Sequence, residues 1–310
     1  MSRRILVTGA GGYIGSVMVP LLLEAGYAVT ALDRFFFGED TLRAVADHPD
    51  LTLIRKDVRD IEVTDLEGVW GVADLAALSN DPSGDLDPDL TTAINHRGRA
   101  RVAACAREAG VSRYVLASSC SVYGTGASRA LTETSPVKPL TEYARCNLAA
   151  EDDVFALAGP DFCVSALRNA TVFGVSPRMR FDLVINLMTL HAHQKNRILV
   201  LGGGRQWRPL VHVSDVGRAF MAVFGAPAQA VQGQRFNVVH DNMQVLTMAA
   251  ICREVLPFPV HIEVAPDDAD KRDYNVDGSK LAQAVGFTPG VTVEDGVAEV
   301  YDALKYGRIE

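Results

Sequence analysis

Short apolar runs alternate with longer amphipathic stretches from the start of the chain. Arg4–Thr8, Ala28–Asp33, Leu51–Arg55, Val72–Ala76 and Arg113–Ser118 are each five or six residues long and mostly aliphatic. Runs this short, bounded by polar or glycine-containing segments, predict strands buried on both faces. Between them, Gly12–Gly26 carries apolar residues at helical spacing and closes on glycine. Leu90–Gly110 is a long Ala- and Arg-rich stretch with the same ending. Glu142–Ala158 followed by Phe162–Arg168 repeats the helix–strand order. Strands alternating with helices predict parallel βαβ units, hence an α/β fold whose sheet is covered on both faces. After Thr171 the pattern loosens. A helix is expected over Phe181–Lys195, a turn at Gly202–Gly204, a helix over Ser214–Phe224 and one more buried strand at Arg235–Val239. This predicts a first sheet domain and a smaller, interleaved C-terminal part.

Composition narrows the class. The chain has 310 residues, 48% hydrophobic and 22% charged. That suits one large α/β domain with a smaller cap and is too apolar for disorder. No apolar run approaches the ~18 residues of a membrane span. Arg3–Arg4 precedes an apolar stretch that stops at Thr8–Gly9, too soon for a signal peptide. A cytoplasmic protein without a membrane partner is expected. The net charge of −8 argues against a nucleic-acid surface. Five scattered cysteines (105, 120, 146, 163, 252) form no C-x-x-C pair and read as reduced thiols. His191 and His193 are two apart and point apart on a helix, so no metal site is expected.

The first strand runs into Thr8-Gly9-Ala10-Gly11-Gly12-Tyr13-Ile14-Gly15 and then a helix. Glycines 9, 12 and 15 suit a tight turn, a close approach of backbone to a pyrophosphate, and close packing of helix on strand. The phosphates of a dinucleotide would sit over the helix N-terminus, where free N–H groups favour negative charge. Asp33 ends the second strand at the offset where an acid accepts hydrogen bonds from the adenosine ribose. Its carboxylate would repel a 2′-phosphate, which favours NAD over NADP. Arg34 beside it pulls the other way. Asp57, after the third strand, is placed to touch the adenine.

The fifth strand leads into Ser118-Ser119-Cys120-Ser121-Val122-Tyr123-Gly124, and Tyr143 opens a later helix in Glu142-Tyr143-Ala144-Arg145-Cys146-Asn147. A hydroxyl at the C-terminal end of a parallel strand lies on the functional edge of such a sheet. Hydride transfer at a carbinol needs a base for the hydroxyl proton, and a phenol can be that base while a serine holds the oxygen. Taken singly, Ser119 reads as a turn hydroxyl and Tyr143 as a half-buried aromatic. Their spacing from the glycine loop raises the functional reading.

With these residues in place, the chain resembles the extended short-chain dehydrogenase/reductases of the nucleotide-sugar epimerase/dehydratase type. The resemblance runs over almost the whole length. It takes in the glycine loop, Asp33, Leu75-Ala76-Ala77, Asn95, the Ser118–Gly124 segment and Tyr143. It continues through Leu167-Arg168-Asn169-Ala170-Thr171-Val172-Phe173-Gly174, Asn186-Leu187-Met188, Trp207 to Asp215, Arg272-Asp273 and Ser279-Lys280. It implies a Rossmann-type doubly wound parallel sheet. Residues 1–173, with 214–240 returning, would bind NAD. Residues 174–213 and 241–310 would form the substrate-binding part. The cofactor site would comprise Gly9, Gly12, Tyr13, Ile14, Gly15, Asp33, Arg34, Asp57, Val58, Leu75, Ala76, Ala77, Asn95, Ser118 and Tyr143. Ser119, Tyr143 and Asn147 would be the catalytic set. Ser79, Ser119, Cys120, Asn169, Thr171, Asn186, Arg208 and Arg272 would bind a nucleotide-sugar substrate. The arginine forks match phosphate oxygens. The Leu90–Gly110 and Glu142–Ala158 helices would pair with those of a second copy in a homodimer.

Four positions depart from the family pattern. The family places a lysine four residues after the tyrosine, to hold the nicotinamide ribose and lower the phenol pKa; this chain has Asn147. Its dehydratases place an acid pair after the strand-end hydroxyl, where this chain has Cys120 and Ser121. Its decarboxylases carry glutamate where Ser121 stands. Thr171 replaces a common asparagine. Cys120 is expected to be a buried spectator. Arg178 and Arg180 either reach an anionic sugar or phosphate or stay solvated. No G-x-S-x-G elbow frames Ser119. The leading expectation is an NAD-dependent nucleotide-sugar epimerase acting at carbon 4. The alternatives are a ketoreductase, dehydrogenase or dehydratase of the same family, or a non-catalytic NAD-binding protein because of Asn147.

Overall fold

The computed structural model describes residues 2–79, 85–125, 130–266 and 272–309. The apolar runs form strands β1 (Arg4–Thr8), β2 (Ala28–Asp33), β3 (Leu51–Arg55), β4 (Gly71–Asp74), β5 (Arg113–Ser119) and β6 (Cys163–Asn169). A later strand, β10 (Gln234–Val238), joins them in one seven-stranded sheet of order β10-β6-β5-β4-β1-β2-β3. Every pairing in it is parallel. This is the doubly wound, Rossmann-type topology that the alternating pattern predicts.

Period two along each strand divides the core between the two faces. Ile5, Val7, Ala73 and Val115 pack on one face, with Met18, Val19 and Leu22 of α1 (Gly15–Glu24) and with Phe220 and Val223. Leu6, Val72, Tyr114 and Leu116 pack on the other, with Val102, Ala103, Ala106, Ala150 and Val154. Both faces are dry, so these strands show no apolar–polar alternation in sequence.

Several expected elements shift by a few residues at their ends, and two depart in a way that matters for the site. β4 ends at Asp74, and Leu75 and Ala76 leave the ladder. The Thr8 hydroxyl oxygen accepts from both of their amides at 3.1 Å, which turns the chain out of the sheet. The long helix expected at Leu90–Gly110 is three pieces: α2 (Pro88–Thr92), a π-helical segment Ala93–Gly98, and α3 (Arg99–Glu108). Apolar spacing does not distinguish a π turn inside a helix. π turns recur at functional sites, and this one holds Asn95.

After α4 (Glu142–Ala156) and β6, the chain departs from the main sheet. β7 (Thr171–Phe173) pairs with β9 (Trp207–His212), which pairs with β11 (Asp241–Gln244). β8 (Arg197–Val200) pairs with β12 (His261–Val264). Between β7 and β8 lies α5 (Val184–Lys195), whose Ile185, Met188 and Ala192 fill a separate apolar cluster with Ile198, Met248 and Val297. The helix α6 (Val213–Gly225) returns to pack on α1.

Candidate active site

The strand ends, the loop after β4, the start of α4 and the start of α5 surround one cleft of about 830 Å³. Gly9, Gly12 and Gly15 form its floor. Gly9 has φ +67°, and a Cβ there would stand 2.9 Å from the Ala76 backbone. A Cβ on Gly15 would stand 2.3 Å from the Gly9 carbonyl oxygen. The turn therefore tolerates no side chain at either place. No side chain caps α1 and no acid lies in its first turn, so the helix opens on the cleft with its own N–H groups.

Asp33 closes the next turn. Its carboxylate accepts from Gly11 N at 3.0 Å and from Phe35 N at 2.7 Å, leaving further lone pairs toward the cleft. Phe35 has φ +51°, and the exposed Phe36 and Phe37 follow it at the cleft mouth. Arg34 stacks over Phe36 and pairs with Asp57 at 3.2 Å. Arg59 beside Asp57 is the main cause that holds its carboxyl below the ordinary range.

Ser118 and Ser119 end β5, and Ser119 Oγ accepts from Ser121 N at 3.1 Å. Thr141 caps α4 through Ala144 N at 3.2 Å and sets Tyr143 in the first turn, half-buried and lining the cleft. Behind Ser118 a buried network fixes the strand end. The Ser118 hydroxyl donates to Glu151 at 2.6 Å, and Arg168 pairs with Glu151 at 2.7 Å. Among the described residues, Ser121 Oγ and Asn169 Oδ1 are buried polar atoms of the wall that find no hydrogen-bond partner. Buried polar atoms are normally satisfied, so this pair marks a place for a polar ligand group. The glycine cradle, Asp33 and these orphaned atoms fit a bound dinucleotide with a polar substrate beside it.

Of the residues expected at the site, all but four line the cleft. The lining includes Tyr13, Ile14, Val58, Leu75, Ala76, Ala77, Ser79, Thr171, Arg208 and Arg272 with those already placed. The four exceptions are Asn95, Cys120, Asn147 and Asn186, each fully or almost fully buried. Asn95 accepts from Leu78 N at 2.7 Å and donates to Leu78 O at 2.9 Å, so it shapes the loop after β4 from behind. Asn186 accepts from Gly174 N and donates to Tyr13 and the Arg180 carbonyl. Cys120 points at the Arg168 carbonyl, and burial raises its thiol far above the usual range. Asn147 faces Arg99 and the Tyr143 carbonyl. In each case the backbone turns the side chain inward, where other groups meet its hydrogen bonds.

Sequence reasoning left Arg180 undecided and passed over Phe36 and Phe37. Arg180 lines the cleft, donates to Ser79 Oγ at 2.8 Å and pairs with Asp182 at 2.6 Å. Arg178 instead stacks over Phe37, 3.6 Å from the ring centre. The signal for the aromatics was present as Phe35-Phe36-Phe37 directly after the strand-ending acid. Arg208 donates to the Trp207 carbonyl and to the Arg272 carbonyl, which ties the two arginines together. Among the described residues, no group of three acids, histidines or cysteines is placed to hold a metal, and no helix is long and apolar enough to cross a membrane.

Known proteins share this architecture over its full extent. A UDP-glucose 4-epimerase of Mycolicibacterium smegmatis is 30% identical, with 97% of this chain and 98% of that protein aligned. A dTDP-glucose 4,6-dehydratase of Streptomyces griseus is 28% identical over 96% of this chain and 93% of its own. The solved structure of MoeE5 in complex with UDP-glucuronic acid and NAD superposes with a TM-score of 0.86 at 29% identity, covering 98% of this chain and 99% of that one. The model of the NAD dependent epimerase/dehydratase family matches residues 5–238, which run from the first strand of the main sheet to the end of its last. The chain is an enzyme of the NAD-dependent epimerase/dehydratase family.

Proposed function

We propose that this enzyme is a nucleotide-sugar 4-epimerase. One observation carries the reading: the two positions after Ser119 hold no acid. Cys120 is turned into the core, and Ser121 presents a hydroxyl to the cleft. Elimination or decarboxylation beside the reacting carbon needs a proton donor or acceptor that a serine supplies poorly. Among the described residues, the carboxylates that line the cleft are Asp33, Asp57 and Asp182. Asp33 holds backbone amides, and the other two are paired with arginines. What remains for the proton is a pair of hydroxyls, Ser119 at the end of β5 and Tyr143 at the start of α4, the requirement for moving one proton on and off a carbinol.

Gly9, Gly12 and Gly15 would hold the NAD pyrophosphate, and Asp33 the adenosine ribose. Bound NAD supplies a reversible hydride acceptor. Tyr143 takes the proton of the sugar hydroxyl and returns it, and Ser119 holds the oxygen. Arg208 and Arg272 anchor the nucleotide diphosphate. Thr171, Asn169 and Ser79 line the sugar end of the cleft. The curated relative named as a UDP-glucose 4-epimerase supports a UDP-hexose as the first substrate to try. The α3 and α4 helices on the face away from α1 support a homodimer, which sedimentation equilibrium tests. The free, mostly buried cysteines support a reducing compartment such as the cytoplasm.

The test is incubation of the NAD-loaded protein with UDP-, dTDP-, GDP- and CDP-hexoses, with the sugar stereochemistry read by NMR. Interconversion of a 4-epimer pair without net NADH formation is expected. Stoichiometric consumption of added NADH would replace this reading with a ketoreductase, and no conversion of any sugar would reject it.

A further inference from the structure

Asn147 stands where a cation is expected, and a cation lies directly against it. Arg99, at the start of α3, donates through Nη1 to Asn147 Oδ1 at 2.9 Å. Both residues are 0% exposed. The rest of the guanidinium is also engaged. Nε lies 3.4 Å from the Asp74 carboxylate, and Nη2 donates to the Asp74 carbonyl at 3.2 Å and to the Ala117 carbonyl. Asp74 is buried as well and accepts from the Thr8 hydroxyl at 2.6 Å and the Tyr114 hydroxyl at 2.7 Å.

The partners of this one side chain adjoin the working segments. Asp74 precedes the Leu75–Ser79 loop of the cleft. Ala117 precedes Ser118 and Ser119. Asn147 passes the contact on, since its Nδ2 donates to the Tyr143 carbonyl at 2.9 Å. A guanidinium offers five donors in a rigid plane, so it can hold three elements at fixed relative positions. A buried cation is costly unless paired and hydrogen-bonded, and Asp74 with the two carbonyls meets that requirement. A lysine at position 147 would set a second cation against the first at low dielectric.

We propose that Arg99 is the positioning residue of this active site. Its fork locks Tyr143, the β5 end bearing Ser119 and the loop after β4 into one arrangement, and position 147 is an amide because it must accept from Arg99. The proposal rests on the reading of Tyr143 and Ser119 as the reacting pair. It makes Arg99 and the departure at 147 one coupled feature, so restoring a lysine alone does not improve the enzyme.

The experiment compares the full-length protein with Arg99→Lys, Arg99→Met, Asn147→Lys and the double variant Arg99→Met/Asn147→Lys. Thermal midpoint, NAD dissociation constant by calorimetry, kcat and KM are measured for each. Asn147→Lys alone is expected to lower the midpoint and to reduce kcat by about tenfold or more with KM little changed. The double variant recovers much of that loss, and Arg99→Lys keeps more kcat than Arg99→Met. The proposal is overturned if Asn147→Lys alone raises kcat without lowering the midpoint, or if the effects of Arg99→Met and Asn147→Lys simply add. Should Arg99→Met fail to fold, Arg99→Lys combined with Asn147→Lys replaces the double variant, with a loss deeper than the sum of the two singles expected and additivity again contrary. If the parent converts no sugar, the epimerase reading is what fails, and the coupling is still decided by the midpoints and the NAD constants.

Discussion

The amide of Asn186 donates to the Tyr13 phenol oxygen at 3.1 Å, and that phenol donates to the Gly174 carbonyl at 2.7 Å. The glycine loop at the N-terminus is thereby fastened to the start of α5, more than 160 residues away in sequence. Tyr13 is 6% exposed, so water does not replace a lost bond there. Tyr13→Phe leaves the Gly174 oxygen and the Asn186 amide short of a partner. A destabilisation of about 1–3 kcal/mol is expected from urea unfolding. A change below a few tenths would show that this link is not structural.

Gly15 gives a sharper test of the cofactor cradle. An alanine Cβ there meets the Gly9 carbonyl at 2.3 Å and the Ala10 backbone at 2.7 Å, and neither atom belongs to a movable side chain. The loop must shift, at a cost of roughly 1–3 kcal/mol. Gly15→Ala is expected to weaken NAD binding by about tenfold or more, measured by calorimetry. Gly26→Ala is the control, because its Cβ meets nothing within 4 Å, and there only the positive φ of +81° adds strain.

Removal of either hydroxyl proposed to react should act on turnover and spare binding. Tyr143→Phe is expected to lower kcat on the order of 10²–10⁴-fold, the usual worth of a positioned proton acceptor. Ser119→Ala is expected to cost less, about 10²-fold, as loss of one donor to the reacting oxygen. KM and the NAD constant should move little in both. A matching rise in KM would place these side chains in ground-state binding instead.

Acid stability should depend on Glu151. Burial by itself would raise its carboxyl, but Arg168, Ser118 and Arg235 outweigh burial and hold it below the ordinary value. A depressed folded-state pKa contributes stability above the unfolded value, near ~4.3, and loses it as pH falls through the folded value. The wild-type protein should therefore lose stability steeply below about pH 4. Glu151→Gln should flatten that slope. At neutral pH it should lower stability by about 3–5 kcal/mol, since Arg168 stays buried with its charge unpaired. Denaturant melts from pH 3 to 8 read both effects.

The parallel sheet was legible because local composition determines it. Strands with two dry faces must be short and apolar throughout, and the helices between them must carry a stripe. The glycine spacing, Asp33, Ser119 and Tyr143 were legible for a related reason. A turn that admits no Cβ, an acid at a strand end and a hydroxyl at a sheet edge depend on a few neighbouring residues. The π turn around Asn95 was not legible, because helical periodicity continues through it.

What only the folded chain decided is where the polar side chains point. Asn147, Asn186, Asn95 and Cys120 belong to recognisable motifs, and each proved to face inward, committed to a group distant in sequence. Arg180 and Arg178 are two residues apart, yet one enters the cleft and the other covers a phenylalanine. The sequence by itself determined the strand order's raw material, the phosphate turn and the pair of hydroxyls. The tertiary structure decided which cation lies against Tyr143's helix, because a buried charge takes its place from whichever carbonyls and carboxylates the packing brings within reach.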